Sequence, residues 1–308
     1  MDDVQTVAGG QDHEGDEEGE IEMRLMLVHG RSQGGKVPAD LEGTWMETLR
    51  KGLKKGGLAF PDNIEVDFPF YADRLDDFVR DFELPADPAF MPKGSPVFDE
   101  YAAFKAQVAD EMRARLNISD AQVQAEAGDL PAEKGPQNWA WVQAIVRLLD
   151  RHLTGVSEGT IEIFLRDVFL YSRKTAVRSA INKIVEKSLS ADTTVVVGHS
   201  LGSVVAYDVL RSASVKPPLF VTVGCPLGIR AIRSALGTLI NPAGTKGWYN
   251  AYDTHDVVAL YPLDTDNFDV DPAIANNDKV RNQTSNRHGI IGYLNDQNVA
   301  KAIREGFG

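Results

Sequence analysis

The segment TTVVVGHSLGSVVAYDVL, residues Thr193–Leu210, decides how we expect this chain to fold. Its first half is a run of β-branched apolar residues bounded by glycine, which is typical of a buried strand. Its second half spaces apolar residues as an amphipathic helix does. Only GHSLG, residues 198–202, joins the two halves, so the chain must turn within about two residues. We therefore predict a strand, a sharp corner at Ser200, and a helix that begins at once.

A corner this tight constrains the residues that form it. The turn pushes the backbone of Ser200 towards a positive φ angle and brings the flanking positions close together. Gly198 and Gly202 permit that approach because glycine has no Cβ. The hydroxyl of Ser200 is then expected to project above the sheet at a helix N-terminus, where partial positive charge stabilises a developing anion. The pattern predicts a nucleophile, with a purely structural turn as the alternative.

Other short apolar runs alternate with helical patterns along the chain. This alternation predicts an α/β fold with a mostly parallel central sheet flanked by helices. Functional loops in such sheets gather at the carboxyl ends of the strands. The predicted strands are Arg24–His29, Ile64–Tyr71, Val195–Val197, Leu219–Val223 and Trp248–Tyr252, and the predicted helices are Thr44–Lys54, Ser203–Arg211, Ile229–Leu239 and Asp296–Glu305.

Residues 72–190 interrupt this alternation, and we interpret them as a helical insertion, part lid and part cover of the sheet. The domain itself is expected to span residues 21–308. Within the insertion we predict helices near Asp99–Leu116, Trp139–Leu153 and Ile161–Leu189, and a polar stretch at 117–138. Its large apolar side chains either wall an acyl pocket or form a helix core, and they are Phe90, Met91, Phe98, Tyr101, Phe104, Trp139 and Trp141. For Phe104, Trp139 and Trp141 the helix core is favoured.

The strand–GHSLG–helix arrangement resembles the nucleophile elbow of the α/β-hydrolase superfamily, in its serine esterase and lipase branch. The resemblance extends over about residues 22–71 and 192–308 and leaves the insertion unaccounted for. It implies a Ser-His-Asp triad in which the acid and then the histidine follow the serine along the chain.

A serine nucleophile needs a neighbouring general base, and only two of the six histidines, His255 and His288, follow Ser200. The resemblance places the base in a late polar loop before the final helix, which favours His288 over His255. Two acids, Asp253 and Asp256, lie where the resemblance places the triad acid. Asp256 is followed by β-forming residues and is favoured, with Asp253 as the alternative.

The resemblance also implies an oxyanion hole, formed by the backbone N–H groups of Leu201 and of Arg31. It implies that His29 hydrogen-bonds its own loop and is not a second base. His199, inside the pentapeptide, either packs or lines the pocket, and packing is favoured. Cys225 is interpreted as a packed thiol near the site.

Composition argues against several classes of protein. The net charge of −13 opposes binding to nucleic acid, because its phosphates would be repelled. Residues 1–20 carry eight acids and no lysine or arginine, so the rest of the chain nets about −5, and we predict a disordered acidic tail with an unknown partner. No apolar stretch reaches the ~18 residues of a transmembrane segment, and no secretory signal is visible. The single cysteine fits a cytoplasmic location.

The expected function is a serine hydrolase that acts on a small-molecule or lipid ester, either a carboxylesterase or a lipase. No metal-ligand cluster or phosphate-binding loop is apparent, so neither a metal nor a cofactor is expected. The same triad serves thioesterases, amidases and acyltransferases, and a hydrolase fold can also act as a non-catalytic interaction protein. For Ile161–Tyr171 we favour a buried helix, with peripheral contact to lipid as the alternative.

Overall fold

The structure is a computed structural model, and it describes residues 23–31, 33–82, 96–128, 139–152 and 160–308. The predicted acidic tail and the side chains of Phe90 and Met91 lie outside these ranges. Within them, one parallel sheet has the strand order β2-β1-β3-β4-β5-β6, which confirms the α/β class. Its strands are β1 (Met23–Val28), β2 (Ile64–Asp67), β3 (Thr193–His199), β4 (Leu219–Val223), β5 (Gly247–Ala251) and β6 (Ala275–Asn277).

Helices cover both faces of this sheet. One face packs against α1, α10 and α11, and the opposite face carries the others. In the described part of the chain the helices are α1 (Pro38–Lys55), α2 (Ala72–Asp81), α3 (Pro96–Arg115), α4 (Asp120–Ala127), α5 (Trp139–His152), α6 (Thr160–Arg173), α7 (Thr175–Glu186), α8 (Leu201–Ser212), α9 (Arg230–Arg233), α10 (Ile290–Leu294) and α11 (Gln297–Glu305).

The central strands β1, β3 and β4 are buried on both sides, as their apolar sequences predict, whereas the edge strands β2 and β6 are partly buried or exposed. In β1, Leu25 and Leu27 enter the core beneath α1 and α11, whereas Met26 and Val28 enter the core beneath the remaining helices. Successive side chains of a strand point to opposite faces, so a sheet covered by helices on both sides needs apolar residues at every position.

Several predicted element boundaries are wrong: the strand expected over Ile64–Tyr71 ends at Asp67, the helix expected over Thr44–Lys54 begins at Pro38, and three further elements differ for a local reason. The helix expected over Ile229–Leu239 is only α9 followed by a 3₁₀ turn, and the chain then passes through Gly237 at φ 73°. The helix expected over Ile161–Leu189 is two helices, because Lys174 adopts extended backbone angles between α6 and α7. The polar stretch at 117–138 contains α4, which starts with a capping box formed by Ser119 and Gln122.

The helical insertion shares its apolar core with the helix that follows Ser200. Phe104 and Trp141 are each 3% exposed within this core, as favoured from the sequence, whereas that prediction is wrong for Trp139, which is only half-buried at the start of α5 and lies outside the core. Helix α6 is buried over almost its whole length, so Ile161–Tyr171 offers no apolar face to a lipid surface. Among the described residues, we find no helix with the length and hydrophobicity needed to cross a membrane.

The buried carboxylate of Asp208 joins α8 to the neighbouring helix α7, at a point away from the N-terminus of α8. Asp208 is 3% exposed and accepts hydrogen bonds from Arg178, Asn182 and Arg211, with Arg178 Nε at 2.6 Å and Asn182 Nδ2 at 2.7 Å. Burial alone would raise the pKa of Asp208, but these donors outweigh it and lower the pKa to about 2. The ionised carboxylate therefore stabilises the packing of α7 against α8.

This network predicts how stability depends on pH. The folded-state pKa of Asp208 lies below its ordinary value of 3.8, so its contribution is complete above that value and is lost as the pH falls towards 2. We expect Asp208→Asn to lower the free energy of unfolding by about 2 kcal/mol near pH 7. Urea titration should show this loss, and the difference from wild type should shrink near pH 2.

Asp266→Asn makes the same charge change on an exposed loop and is the matched control, expected to cost less than about 0.5 kcal/mol. Equal urea midpoints for the two variants at pH 7 would show that the Asp208 network does not stabilise the fold.

Candidate active site

Ser200 occupies the corner between β3 and α8. Its backbone angles are φ 55° and ψ −127°, which confirms the positive φ predicted from the tight turn. Such a conformation is costly for a residue with a side chain and persists only where its surroundings hold it. Here the N–H of Ser200 donates to the carbonyl of Val223 at 3.2 Å, which ties the corner to the end of the neighbouring strand.

The two glycines of the pentapeptide are required by close contacts. A Cβ on Gly198 would lie 2.7 Å from the Cα of Ser203. A Cβ on Gly202 would clash with the carbonyl oxygens of Val28 and His29 at the end of β1. The contact at Gly198 lies within the turn, as predicted, whereas Gly202 is needed because α8 passes close over the neighbouring strand.

Three side chains from different loops meet at this corner. His288 Nε2 lies 2.7 Å from Ser200 Oγ, and His288 Nδ1 lies 2.8 Å from Asp256 Oδ2. The carboxylate can only accept, so Nδ1 carries the proton and Nε2 is left to accept the hydroxyl hydrogen of Ser200. All three residues are buried: Ser200 is 1% exposed, His288 6% and Asp256 0%.

Asp256 is held as an anion by its contacts. Its Oδ1 accepts the N–H of Val258 at 2.9 Å, and its Oδ2 accepts the hydroxyl of Tyr293 at 2.6 Å in addition to His288. Burial alone would raise the pKa of Asp256, but the neighbouring imidazole and these donors bring it below its ordinary value. The carboxylate is therefore ready to orient His288 and to stabilise its charged form.

The alternative acid, Asp253, and the alternative base, His255, are not part of this chain of hydrogen bonds. Asp253 is fully buried, but its carboxylate accepts the N–H groups of His255 and Asn282, at 2.9 and 2.8 Å. The His255 ring lies against Asp253 with its side chain 61% exposed, away from Ser200. The structure thus brings His288 and Asp256 together at Ser200, and places Asp253 in the support of the loop that carries His288.

Asn282 is the centre of that support, and sequence reasoning missed it. Its side-chain amide donates to the carbonyls of Arg287 and Gly289, at 2.9 and 2.8 Å, on either side of His288. The backbone N–H of His288 also donates to Asn286 Oδ1 at 3.0 Å. An asparagine in a polar loop gives no sequence signal for this task, since loops are commonly rich in asparagine.

His199 packs, as favoured, and also holds the candidate base. Its Nε2 donates to the backbone carbonyl of His288 at 2.8 Å, and its ring meets Trp45 edge to face. Burial, and to a smaller extent the neighbouring His288, lowers the pKa of His199 to about 3, so the ring is neutral at ordinary pH. The hydrogen bond connects the elbow directly to the loop that carries His288.

His29 shapes the loop after β1, as expected. Its Nδ1 donates to the carbonyl of Gly30 at 2.6 Å, and its Nε2 accepts the N–H of Tyr71 at 3.2 Å. Burial lowers the pKa of His29 to about 4. With both ring nitrogens engaged by the backbone, His29 is not available as a second base.

Leu201, one of the two expected oxyanion-hole donors, is adjacent to the corner, and the loop that carries the other, Arg31, approaches it. Leu201 is the first residue of α8, where the backbone N–H has no partner within the helix. The loop after β1 approaches from the other side, because a Cβ on Gly30 would lie 3.0 Å from Ser200 Cβ, and Arg31 follows directly. The Arg31 side chain is partly buried, and burial lowers the pKa of its guanidinium while the nearby Asp167 opposes that change.

Cys225 is buried beyond β4, near the candidate site but outside it. Burial raises the pKa of its thiol to about 12, so it is a packed and unreactive group.

Its neighbour Gly224 adopts φ 58° and lies so close to His288 that a Cβ there would be 3.3 Å from the imidazole ring.

The described residues therefore contain a hydroxyl, an imidazole and a carboxylate in one hydrogen-bonded chain at the N-terminus of α8. This arrangement can activate an alcohol as a nucleophile and stabilise an oxyanion. Comparison with family models, curated proteins and solved structures finds no match to this chain.

Proposed function

We propose that this chain is a serine hydrolase of the α/β-hydrolase superfamily that cleaves carboxylic esters through an acyl-enzyme intermediate. One observation carries the proposal: Ser200 Oγ, His288 and Asp256 form a continuous chain of hydrogen bonds of 2.7 and 2.8 Å. An interaction protein that had lost its chemistry would have no need to keep all three groups in this geometry and the strained corner as well.

In the proposed mechanism, Ser200 Oγ attacks the ester carbonyl carbon while His288 Nε2 takes the hydroxyl proton. Asp256 stabilises the imidazolium, and the N–H groups of Leu201 and Arg31 bind the tetrahedral oxyanion. His288 then gives the proton to the leaving alkoxide as the ester C–O bond breaks. Water repeats the sequence on the acyl-enzyme and releases the carboxylic acid, which restores Ser200.

The surroundings of Arg31 favour a short acyl group over a long one. Asp167 of α6 is 2% exposed and its carboxylate is bound by Arg166 at 3.1 Å. Burial raises the pKa of the Tyr71 phenol, and the negative charge of the nearby Asp167 raises it further. The Arg31 side chain itself is only partly buried, so an alkyl chain laid over it would take part of a charged guanidinium out of water. A carboxylesterase that accepts short chains is therefore preferred over a lipase.

The test is labelling by a fluorophosphonate probe combined with a series of p-nitrophenyl esters. Fluorophosphonates react with serine hydroxyls that a neighbouring base activates, so we expect peptide mapping to find the probe on Ser200. Hydrolysis should decrease from the acetate to the octanoate and the palmitate. A protein that leaves all three esters intact and stays unlabelled at Ser200 would contradict the proposed function, and a preference for palmitate would favour the lipase.

A further inference from the structure

Tyr293 contacts the candidate triad, and no pattern in the sequence predicts that contact. It lies in the short helix α10, which follows the His288 loop, and its side chain is fully buried. The phenol oxygen is 2.6 Å from Asp256 Oδ2 and 3.2 Å from the backbone nitrogen of Asp253. The N–H of Asp253 can only donate, so the phenol accepts there and donates its own proton to Asp256.

One oxygen of the Asp256 carboxylate accepts hydrogen bonds from both Tyr293 and His288. Asp256 Oδ2 accepts Tyr293 at 2.6 Å and His288 Nδ1 at 2.8 Å. Two donors share the negative charge of one oxygen, so charge drawn towards the phenol is less available to the imidazole. Hydrogen bonds to a charged acceptor are among the stronger ones in proteins, so this sharing affects the imidazole measurably.

We propose that Tyr293 is a positioning residue that sets the proton affinity of His288 by sharing Asp256 Oδ2 with it. Together with the N–H of Val258 on Oδ1, the phenol also holds the carboxylate in the plane that His288 needs. The inference rests on the proposed function, since it assigns Tyr293 a part in the activation of Ser200.

The other titratable and charged groups around the pair are accounted for. The His199 ring lies 5.0 Å from that of His288 and is neutral, and Arg31 lies near enough to His199 to lower its pKa. The Arg287 guanidinium lies 4.0 Å from the Asp253 carboxylate, whose negative charge also raises the pKa of Tyr293. The Asp253 carboxylate is engaged by Asn282 and His255. Burial and the negative charge of Asp256 raise the pKa of Tyr293 well above its ordinary value, so the phenol stays protonated and remains a donor.

The experiment is an NMR titration of the His288 ring in wild type and in Tyr293→Phe. Removing the phenol leaves more negative charge on Asp256, which stabilises the imidazolium. We expect the titration midpoint to rise by about 0.5 pH unit. The acid limb of the kcat/KM profile should move by the same amount in the same direction, and kcat should decrease about tenfold with little change in KM.

Tyr207→Phe is the matched control. Tyr207 is also fully buried, and its substitution by phenylalanine removes one hydrogen bond, which its hydroxyl accepts from the N–H of Ile240 at 3.1 Å. Unlike Tyr293, it lies in α8 and packs against Trp248 and Phe268. We expect it to lower Tm without moving the His288 titration. A Tyr293→Phe variant that also lowers Tm and leaves the titration unchanged would overturn the proposal, because Tyr293 would then act only in packing.

A second variant keeps the phenol in place. Substitution of 3-fluorotyrosine at position 293 provides a more acidic hydroxyl and hence a stronger donor, so the His288 midpoint should move down instead of up. Shifts of the same sign in both variants, or no shift in either, would overturn the proposal even if Tyr293→Phe failed to fold. The titration needs no substrate, so a protein without esterase activity would contradict the proposed function and leave the coupling between Tyr293 and His288 measurable.

Discussion

Replacement of Ser200 by alanine is expected to lower kcat for p-nitrophenyl acetate by about 10⁶-fold, as loss of a triad nucleophile does in serine hydrolases. The alcohol that forms the acyl-enzyme is then absent, and His288 has no hydroxyl to deprotonate. The fold should survive, because alanine removes one oxygen from a corner held by the Val223 carbonyl and the flanking glycines. Release of p-nitrophenol under saturating substrate measures the loss, and circular dichroism verifies the fold.

Ser212→Ala provides the matched control for this variant. Ser212 is the last residue of the same helix, and it is exposed and bonded only to the carbonyl of Asp208 among the described contacts. It is expected to keep the wild-type rate. Retention of that rate by Ser200→Ala would mean that the hydrolysis arises at another group, and the assignment of Ser200 would be wrong.

Asp256→Asn is expected to lower kcat by about 10⁴-fold while leaving the fold in place. An asparagine can present its amide N–H₂ to His288 Nδ1, which favours the tautomer with the proton on Nε2. That proton then faces Ser200 Oγ, and the imidazole can no longer accept the hydroxyl hydrogen. The rate should be measured at several pH values, because the loss should be greatest near neutrality, where wild type depends on the neutral imidazole.

Asp253→Asn is the comparison that separates the two candidate acids. Both carboxylates are fully buried and lie on the same loop, but Asp253 contacts the backbone of His255 and Asn282 rather than the imidazole of His288. We expect a lower Tm and a decrease in kcat of about tenfold or less. If Asp253→Asn proved the more damaging of the two for kcat, the triad acid would be Asp253.

Much of the candidate site follows from patterns in the sequence, although sequence alone left two choices open. The corner at Ser200 is a short-range feature: a strand and a helix joined by GHSLG can be read from adjacent residues, and the positive φ confirms it. The β-forming residues after Asp256 favour it over Asp253, but they leave Asp253 open as the alternative. Only the path of the chain from β5 decides which carboxylate reaches His288 at 2.8 Å.

The supporting residues were missed for the same reason. Tyr293 and Asn282 act through contacts with groups on another loop or farther along the chain, and so does the bond by which His199, whose packing the sequence favours, holds the His288 loop. A tyrosine in a short amphipathic helix gives the same pattern whether its hydroxyl meets water or a buried carboxylate. In the insertion, by contrast, the errors have local causes. Helix α4 depends on a capping box and the break between α6 and α7 on the backbone angles of Lys174, and apolar spacing reports neither.

The amino-acid sequence by itself determined the parallel α/β architecture and the strained serine corner, because steric limits and apolar periodicity act between residues that are neighbours in the chain. The tertiary structure decided which imidazole and which carboxylate meet that serine, and that a phenol shares the carboxylate. Those pairings join groups on separate loops, so they exist only once the sheet and its helices have packed and brought the ends of β3 and β5 together.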